Sequence, residues 1–316
     1  MKRVKCIYAV LLSFMLIMLV GCNYRDVLDD YPVNGVLIKL NWTGVVEKLP
    51  DGVQVIFYPK DNVGRKVEEF LPPEGGEISV PPGQYALVIY NYDTEFVAVR
   101  GTESYETFEA YTNYCKGLST SVKMVWSPDP FYVVALDDIK VEKSDLVQPM
   151  EFRPVQMTKH LSFEVKVEGL QYISDILCNV DGMDGNYFIG KHCCESSIAP
   201  IYVETTKGDG VIKGSFSVFR IPQSAVTRAN SVVTMTLKLK KVDNTVQEIK
   251  VDITQAVKAP PTPSEPGEEP APDVDVTIKV PVVDDVIVVE KPEGAGDGGI
   301  SGGVDDWGDE TEVELK

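Results

Sequence analysis

The chain is poor in the side chains that most enzymes use. Its 316 residues include two histidines, three tryptophans and six cysteines. No Walker loop, nucleophile elbow or H-E-x-x-H pattern occurs. His160 opens a strand-like run and reads as a surface or half-buried residue, not a general base. His192-Cys193-Cys194 sets three metal-binding residue types side by side. Neighbours on a strand point to opposite faces and structural zinc sites use spaced pairs, so no metal is expected there. Asp181-Gly182-Met183-Asp184-Gly185-Asn186 lacks the later glutamate of a calcium loop and reads as a hairpin turn. No cofactor is expected, and neither is an enzyme. Positive charge is also scarce. The 30 Lys and Arg against 48 Asp and Glu give a net charge of −18, which excludes the basic footprint that nucleic acid binding needs. No apolar run of membrane-spanning length follows residue 20, and no helical periodicity longer than about three turns follows residue 22.

What is present begins with an export signal. Lys2, Arg3 and Lys5 precede an uncharged run, IYAVLLSFMLIMLV, over residues 7–20. A basic start, a short apolar run and a small residue fit a signal peptide. A run of 14 residues is short of the roughly 20 that span a bilayer. Leu19-Val20-Gly21-Cys22 resembles the lipobox of bacterial lipoproteins. That resemblance implies removal of residues 1–21, a diacylglyceryl group on the Cys22 thiol and acylation (by palmitate, for example) of the new amine. Each buried acyl CH₂ contributes about 0.8 kcal/mol, and stable anchoring takes two or more chains. The partner expected at this end is the outer membrane, with the protein lipid-anchored and surface-exposed. Loss of three basic residues and no acid moves the net charge from −18 to −21. Residues 22–34 form a polar tether, whose Asp26, Asp29 and Asp30 resemble the acidic surface-export signals of Bacteroidales lipoproteins.

From Gly35 onward the pattern is β. Runs at 36–42, 53–59, 77–81, 84–93, 95–101 and 131–141 are rich in Val, Ile, Tyr and Phe, with partial period-two alternation. Pro50-Asp51-Gly52, Pro72 to Gly76 and Pro81-Pro82-Gly83 punctuate them as turns. Residues 103–118 could hold a short helix around Ser104–Tyr114. Further strand-like runs lie at 161–170, 173–180, 186–192, 198–205, 211–221, 231–242 and 245–254, the last two joined at Asp243-Asn244 as a hairpin with charged residues on one face. Residues 258–273, KAPPTPSEPGEEPAPD, form an extended linker or loop, and 274–292 read as strand, turn, strand. The expected architecture is all-β, with two sandwich domains over residues 35–150 and 151–316, the second carrying the loop 258–273.

Four cysteines remain for an oxidising compartment: Cys115, Cys178, Cys193 and Cys194. The preferred disulfide is Cys178 with Cys193 or Cys194, closing a short excursion; free buried thiols are the alternative. Trp42 reads as a core residue, while Trp126 and Trp307 are candidates for stacking on sugars. Residues 265–316 carry 16 acids against three lysines, which reads first as a solvated, self-repelling segment and second as a cation or partner site. Asn41-Trp42-Thr43 is formally a glycosylation sequon, discounted because the lipobox marks a bacterial cell.

The lipobox, the strand ending in Asn41-Trp42, the PPGQYALVIYN segment at 81–91 and the final DDWGDETEVEL at 305–315 together resemble the FimB/Mfa-like group of Bacteroidales lipoproteins, which includes fimbrial anchor and accessory subunits. The resemblance covers most of the chain after residue 21. It implies two tandem transthyretin-like β-sandwich domains and a role at the base of a type V fimbria or in a related surface adhesin. Polymerising pilins of that system lose their first strand to an arginine-specific protease and accept a neighbour's strand in the groove, which is β-augmentation. Here no arginine lies between the runs at 36–42 and 53–59, since Arg25 precedes the first and Arg65 follows the second. The chain is therefore expected to keep its first strand and act as an anchor, with fimbrial subunits as partners. A carbohydrate-binding surface lipoprotein of a glycan-uptake system is the alternative. The Pro/Glu-rich segment 258–273 is a departure that the resemblance does not explain.

Overall fold

The structure is a computed structural model that describes residues 35–43, 49–60, 64–116, 122–194, 199–219, 232–258, 276–278 and 286–291. Among the described residues almost every element is a strand. β1 (Gly35–Leu40) buries Val36, Ile38 and Leu40 and turns the residues between them outward. It is the middle strand of a small sheet, antiparallel to β4 (Gly75–Ser79) and parallel to β9 (Gln148–Phe152). A second sheet runs in the order β10 (Val155–Gln156), β8 (Tyr132–Val141), β5 (Gly83–Asn91), β2 (Val53–Pro59) and β3 (Val67–Leu71). β2 and β5 are buried along nearly their whole length. That explains why VQVIFYP and QYALVIYN read as apolar runs and not as strict alternation: a sheet covered on both faces has no polar side.

The two covers differ. On one face Val55, Phe57, Leu87, Ile89 and Val134 pack against β1 and its neighbours. On the other, Ile56, Tyr58, Val88, Tyr90 and Val133 meet Phe108, Ala110, Tyr187, Ile189 and Phe219. The elements on that second side are β6 (Val97–Arg100), β7 (Glu109–Thr112) and β13 (Asn186–Phe188), which form a third sheet. β13 belongs to the second half of the chain, so the junction between the halves is itself an apolar core. Each fully buried side chain there, such as Phe108, contributes about 1.5–3 kcal/mol.

The second half is built on one large sheet, in the order β17 (Val246–Asp252), β16 (Thr234–Lys241), β12 (Ile173–Asp181), β14 (Ile201–Gly208), β15 (Val211–Phe219), β11 (Thr158–Glu168) and β18 (Val276–Ile278). β19 (Ile287–Val288) also pairs with β11. Leu161, Phe163, Cys178, Val180, Leu237 and Ile249 lie in the core it encloses. The described helices are a 3₁₀ turn at Leu170–Tyr172 and α1 (Thr254–Lys258).

Two local expectations are corrected. No helix forms at 104–114: residues 102–107 are bends and turns, and β7 follows because Phe108 and Ala110 alternate into the junction core. Residues 181–186 do not close a hairpin. At Gly182 the backbone turns left-handed (φ 88°), and β13 leaves to pair with β7 while β12 pairs with β14 and β16. Of the strand, turn, strand expected over 274–292, both strands form, at Val276–Ile278 and Ile287–Val288, and residues 279–285 between them lie outside the described residues. β18 and β19 lie in line, both parallel to β11, at Leu161–Phe163 and at Val167–Glu168.

Candidate assembly interface

Among the described residues no group of three or more metal-ligating side chains gathers, and no helix is long and apolar enough to cross a membrane. β1 and β3 hold contrasting places in the sheets of the first half.

The groove of the first half is filled by the chain's own β1. Five residues of β1 pair with β4 and five with β9. Gly75 permits the close approach: its φ is 100°, and an added Cβ would collide with the Ile38 carbonyl. Just past β1, the Asn41 amide donates to the Phe152 carbonyl at 2.9 Å, and Trp42 Nε1 donates to the Pro73 carbonyl at 2.7 Å. The Trp42 ring meets Tyr132 edge-on at 5.5 Å, so this indole is a core side chain.

At the other side of the five-stranded sheet, β3 is the terminal strand. Phe70 is 63 % exposed and stands edge to face with Tyr92, 5.2 Å away. Glu68 and Glu69 lie exposed beside them. Charges on an edge strand oppose indiscriminate pairing, while the aromatic pair offers an apolar contact to a matched partner.

The halves are joined by a polar clamp at the rim of the apolar junction, where Glu109 and Asn186 are buried and Arg100 is exposed. Arg100 donates twice to Glu109, from Nε at 2.6 Å and from its terminal nitrogen at 2.7 Å, a bidentate pair. Asn186 of β13 donates to the same carboxylate at 2.7 Å, and the guanidinium lies over the Tyr111 ring at 4.7 Å. Burial works against the charge on Glu109, but the hydrogen bonds from Arg100 and Asn186 outweigh it and hold the carboxyl below its ordinary range. Sequence reasoning missed this clamp. Its members are 77 residues apart in the case of Asn186 and Glu109, and no local pattern marks them.

Of the residues singled out in the sequence, Cys22 and Trp307 lie outside the described residues, as do the signal peptide, the tether 22–34 and residues 259–273. Trp126 sits at the junction. It stacks on Phe96 (4.9 Å, 24° between planes) and meets Tyr202 of β14 edge-on at 5.6 Å, so one ring face is already taken by a protein side chain. Next to it, Val125 accepts a hydrogen bond from the Tyr202 amide at 2.8 Å. Cys178 and Cys193 are not bonded to each other; none of the four described cysteines is in a disulfide. Cys178 is buried in the core of the second half, where burial pushes its thiol well above the ordinary range. Cys193 follows β13, bonded through its backbone to Phe188. The divergence of β12 and β13 separates the two thiols, so the short excursion that suggested a bridge is a passage between two sheets. His160 is half-buried, with Nδ1 3.3 Å from Ser217 Oγ.

Known proteins share this chain's sequence and architecture. A profile for a domain of unknown function (DUF5119) matches residues 21–204. A Bacteroides ovatus protein provisionally named as the fimbrium anchoring subunit Fim4B is 43 % identical over an alignment of 333 residues, covering 100 % of this chain and 99 % of its own. A crystal structure from Bacteroides ovatus ATCC 8483, provisionally named an adhesin, is 42 % identical with a TM-score of 0.68, covering 87 % of this chain and 99 % of that one. A second Bacteroides ovatus adhesin-type structure shares the fold at 8 % identity (TM-score 0.52, 83 % of this chain and 89 % of that one). The chain belongs to the DUF5119 family and to the FimB/Mfa-like group that its motifs resemble.

Proposed function

We propose that this protein is a fimbrial anchor or accessory subunit, held at the outer surface of the outer membrane by lipid on Cys22, that binds other fimbrial subunits through backbone strand pairing. The observation that carries the reading is the full-length relationship to a protein named as a fimbrium anchoring subunit. The seating of β1 supports it, because a subunit whose groove is filled by its own strand ends a chain of strand exchange instead of continuing it. The β3 edge, with Phe70 and Tyr92 exposed, is the candidate pairing site for a partner strand. The reading treats residues 35–150 and 151–316 as two sandwiches and assigns the protein no catalytic step.

The test is purification of the native protein from detergent-extracted membranes, with a Cys22→Ala variant as the untethered control. The expected result is acyl chains on the N-terminal cysteine, release of the variant to the soluble fraction and co-recovery of a pilin-type subunit with the wild type. Recovery without such a subunit, together with binding on a glycan array that is lost in Trp126→Ala, would replace the anchor reading with the carbohydrate-binding one.

A further inference from the structure

The large sheet of the second half splits at one end. β14 and β15 pair from Gly208 opposite Val211 as far as Glu204 opposite Ser215, and then part. Two residues further, the same register would set Tyr202 opposite Ser217. Within the sheet each of these keeps one neighbour instead, Asn179 of β12 for Tyr202 and His160 of β11 for Ser217. The residues around the split, Ile201, Val203, Phe216 and Val218, are buried, as is Ser217. Backbone N–H and C=O groups in such a place are costly to leave unpaired.

The first half fills the split. Val125 lies parallel to Ile201. Its amide donates to the Pro200 carbonyl and its carbonyl accepts from the Tyr202 amide, both at 2.8 Å. Across the split, Ser127 Oγ accepts from the Ser217 amide at 2.6 Å and donates to the Ser217 carbonyl at 3.4 Å. One hydroxyl thus answers both backbone groups that β14 has left behind. Further on, the Phe131 carbonyl accepts from the Met157 amide at 2.6 Å, and its amide donates to Thr158 Oγ1, on the first residue of β11, at 3.2 Å. Residues 125, 127 and 131 therefore meet β14, β15 and β11 in turn. Val125 is also a member of the second half's apolar core.

The same segment is fastened to its own half. The Trp126 amide donates to the Asn113 carbonyl at 3.0 Å. Asp129 Oδ2 accepts from the amides of Phe96 and Val97 at 2.6 and 3.3 Å. The buried side chain of Asn91, at the end of β5, accepts from the Tyr132 amide at 2.7 Å and donates to the Pro130 carbonyl at 3.1 Å. A boundary drawn at 150/151 would therefore take from the second half the residues that close its sheet.

We propose that residues 125–131 are a strap that completes the sheet of the second half from the first and makes the two sandwiches one folding unit. Residues 151–157 are then a fixed connection and not a hinge, and neither half opens without the other. The inference stands apart from the fimbrial reading, since it concerns the joint and no partner.

Amide hydrogen exchange of the full chain, read by mass spectrometry, tests this. Ile38→Ala alters only the core of the first half. In one folding unit it should quicken the most protected amides of β2 and β5 and those of β12 and β16 by the same factor, about thirtyfold or more. Quickening confined to β2 and β5 would overturn the proposal. Should Ile38→Ala fail to fold, Ile38→Val is read the same way, with a shared factor of about twofold to tenfold. Ser127→Ala examines the strap itself: the Ser217 amide loses its acceptor and should exchange about tenfold faster. A Ser217 amide that exchanges at the wild-type rate would also overturn the proposal.

Discussion

The described chain begins and nearly ends on strands that run parallel to a distant partner, yet the two ends are held very differently. β1 lies between two strands with five paired residues on each side and buries Val36, Ile38 and Leu40. β18 and β19 share one side of β11, with three paired residues and two. Each end has a left-handed glycine beside it: Gly75 under Ile38, and Gly169 (φ 82°) under Val289, where an added Cβ would likewise meet a carbonyl oxygen. The close approach is common to both ends, and the difference lies in the pairing: β1 is held on both sides, whereas β18 and β19 share one side of β11.

The largest effect should come from the first strand. Ile38→Ala is expected to cost about 2–5 kcal/mol, read as a lower denaturant midpoint at unchanged slope; a loss below about 1 kcal/mol would mean that β1 is dispensable and the comparison fails. Gly75→Ala should follow, at about 1–3 kcal/mol for forcing a left-handed position and displacing the β1 backbone, and thermal unfolding should show it. Glu109→Gln probes the junction between the ends. The carboxyl is held below its ordinary range, so its contribution is fully present above the unfolded value of about 4.3 and fades as pH falls through the folded value. Wild type should therefore exceed Glu109→Gln by about 1–3 kcal/mol near neutrality, with the gap closing in acid. Urea titrations of both proteins across that range check the sign. Ile287→Ala, at the half-buried β19, should cost least, about 1 kcal/mol. A loss as large as that of Ile38→Ala would erase the contrast between the ends.

The strands that alternate or run apolar were legible in the sequence, including β1, β2, β5, β8, β11, β12, β15, β16 and β17, as was the turn at Asp243-Asn244, where Asn244 is left-handed (φ 66°). β3 was not, because VEEFL exposes three consecutive residues, as an edge strand does. β9 is too short and too mixed to stand out, whereas the run at 186–192 marked β13 without its partner, which is far away in sequence. Partner choice was the systematic gap. Apolar periodicity reports which face a residue shows; it does not report that Val36 lies opposite Gln148 or Tyr187 opposite Ala110. The preferred disulfide followed from that gap, since nearness in sequence stood in for nearness in space. Trp42 was read correctly as core, whereas the Phe96–Trp126–Tyr202 stack and the Arg100–Glu109–Asn186 clamp are assembled only by the fold.

The position of β1 also has a mechanical meaning. Hydrogen bonds to β4 and β9 lie across the strand axis, so a pull on Gly35 along that axis loads the rungs on both sides together, in shear. A strand peeled from its end would instead give way rung by rung. Single-molecule pulling from Gly35 should show one high force peak for the first half, and a gradual low-force release would contradict it. Traction on whatever is attached ahead of Gly35 thus meets a strand gripped on both sides.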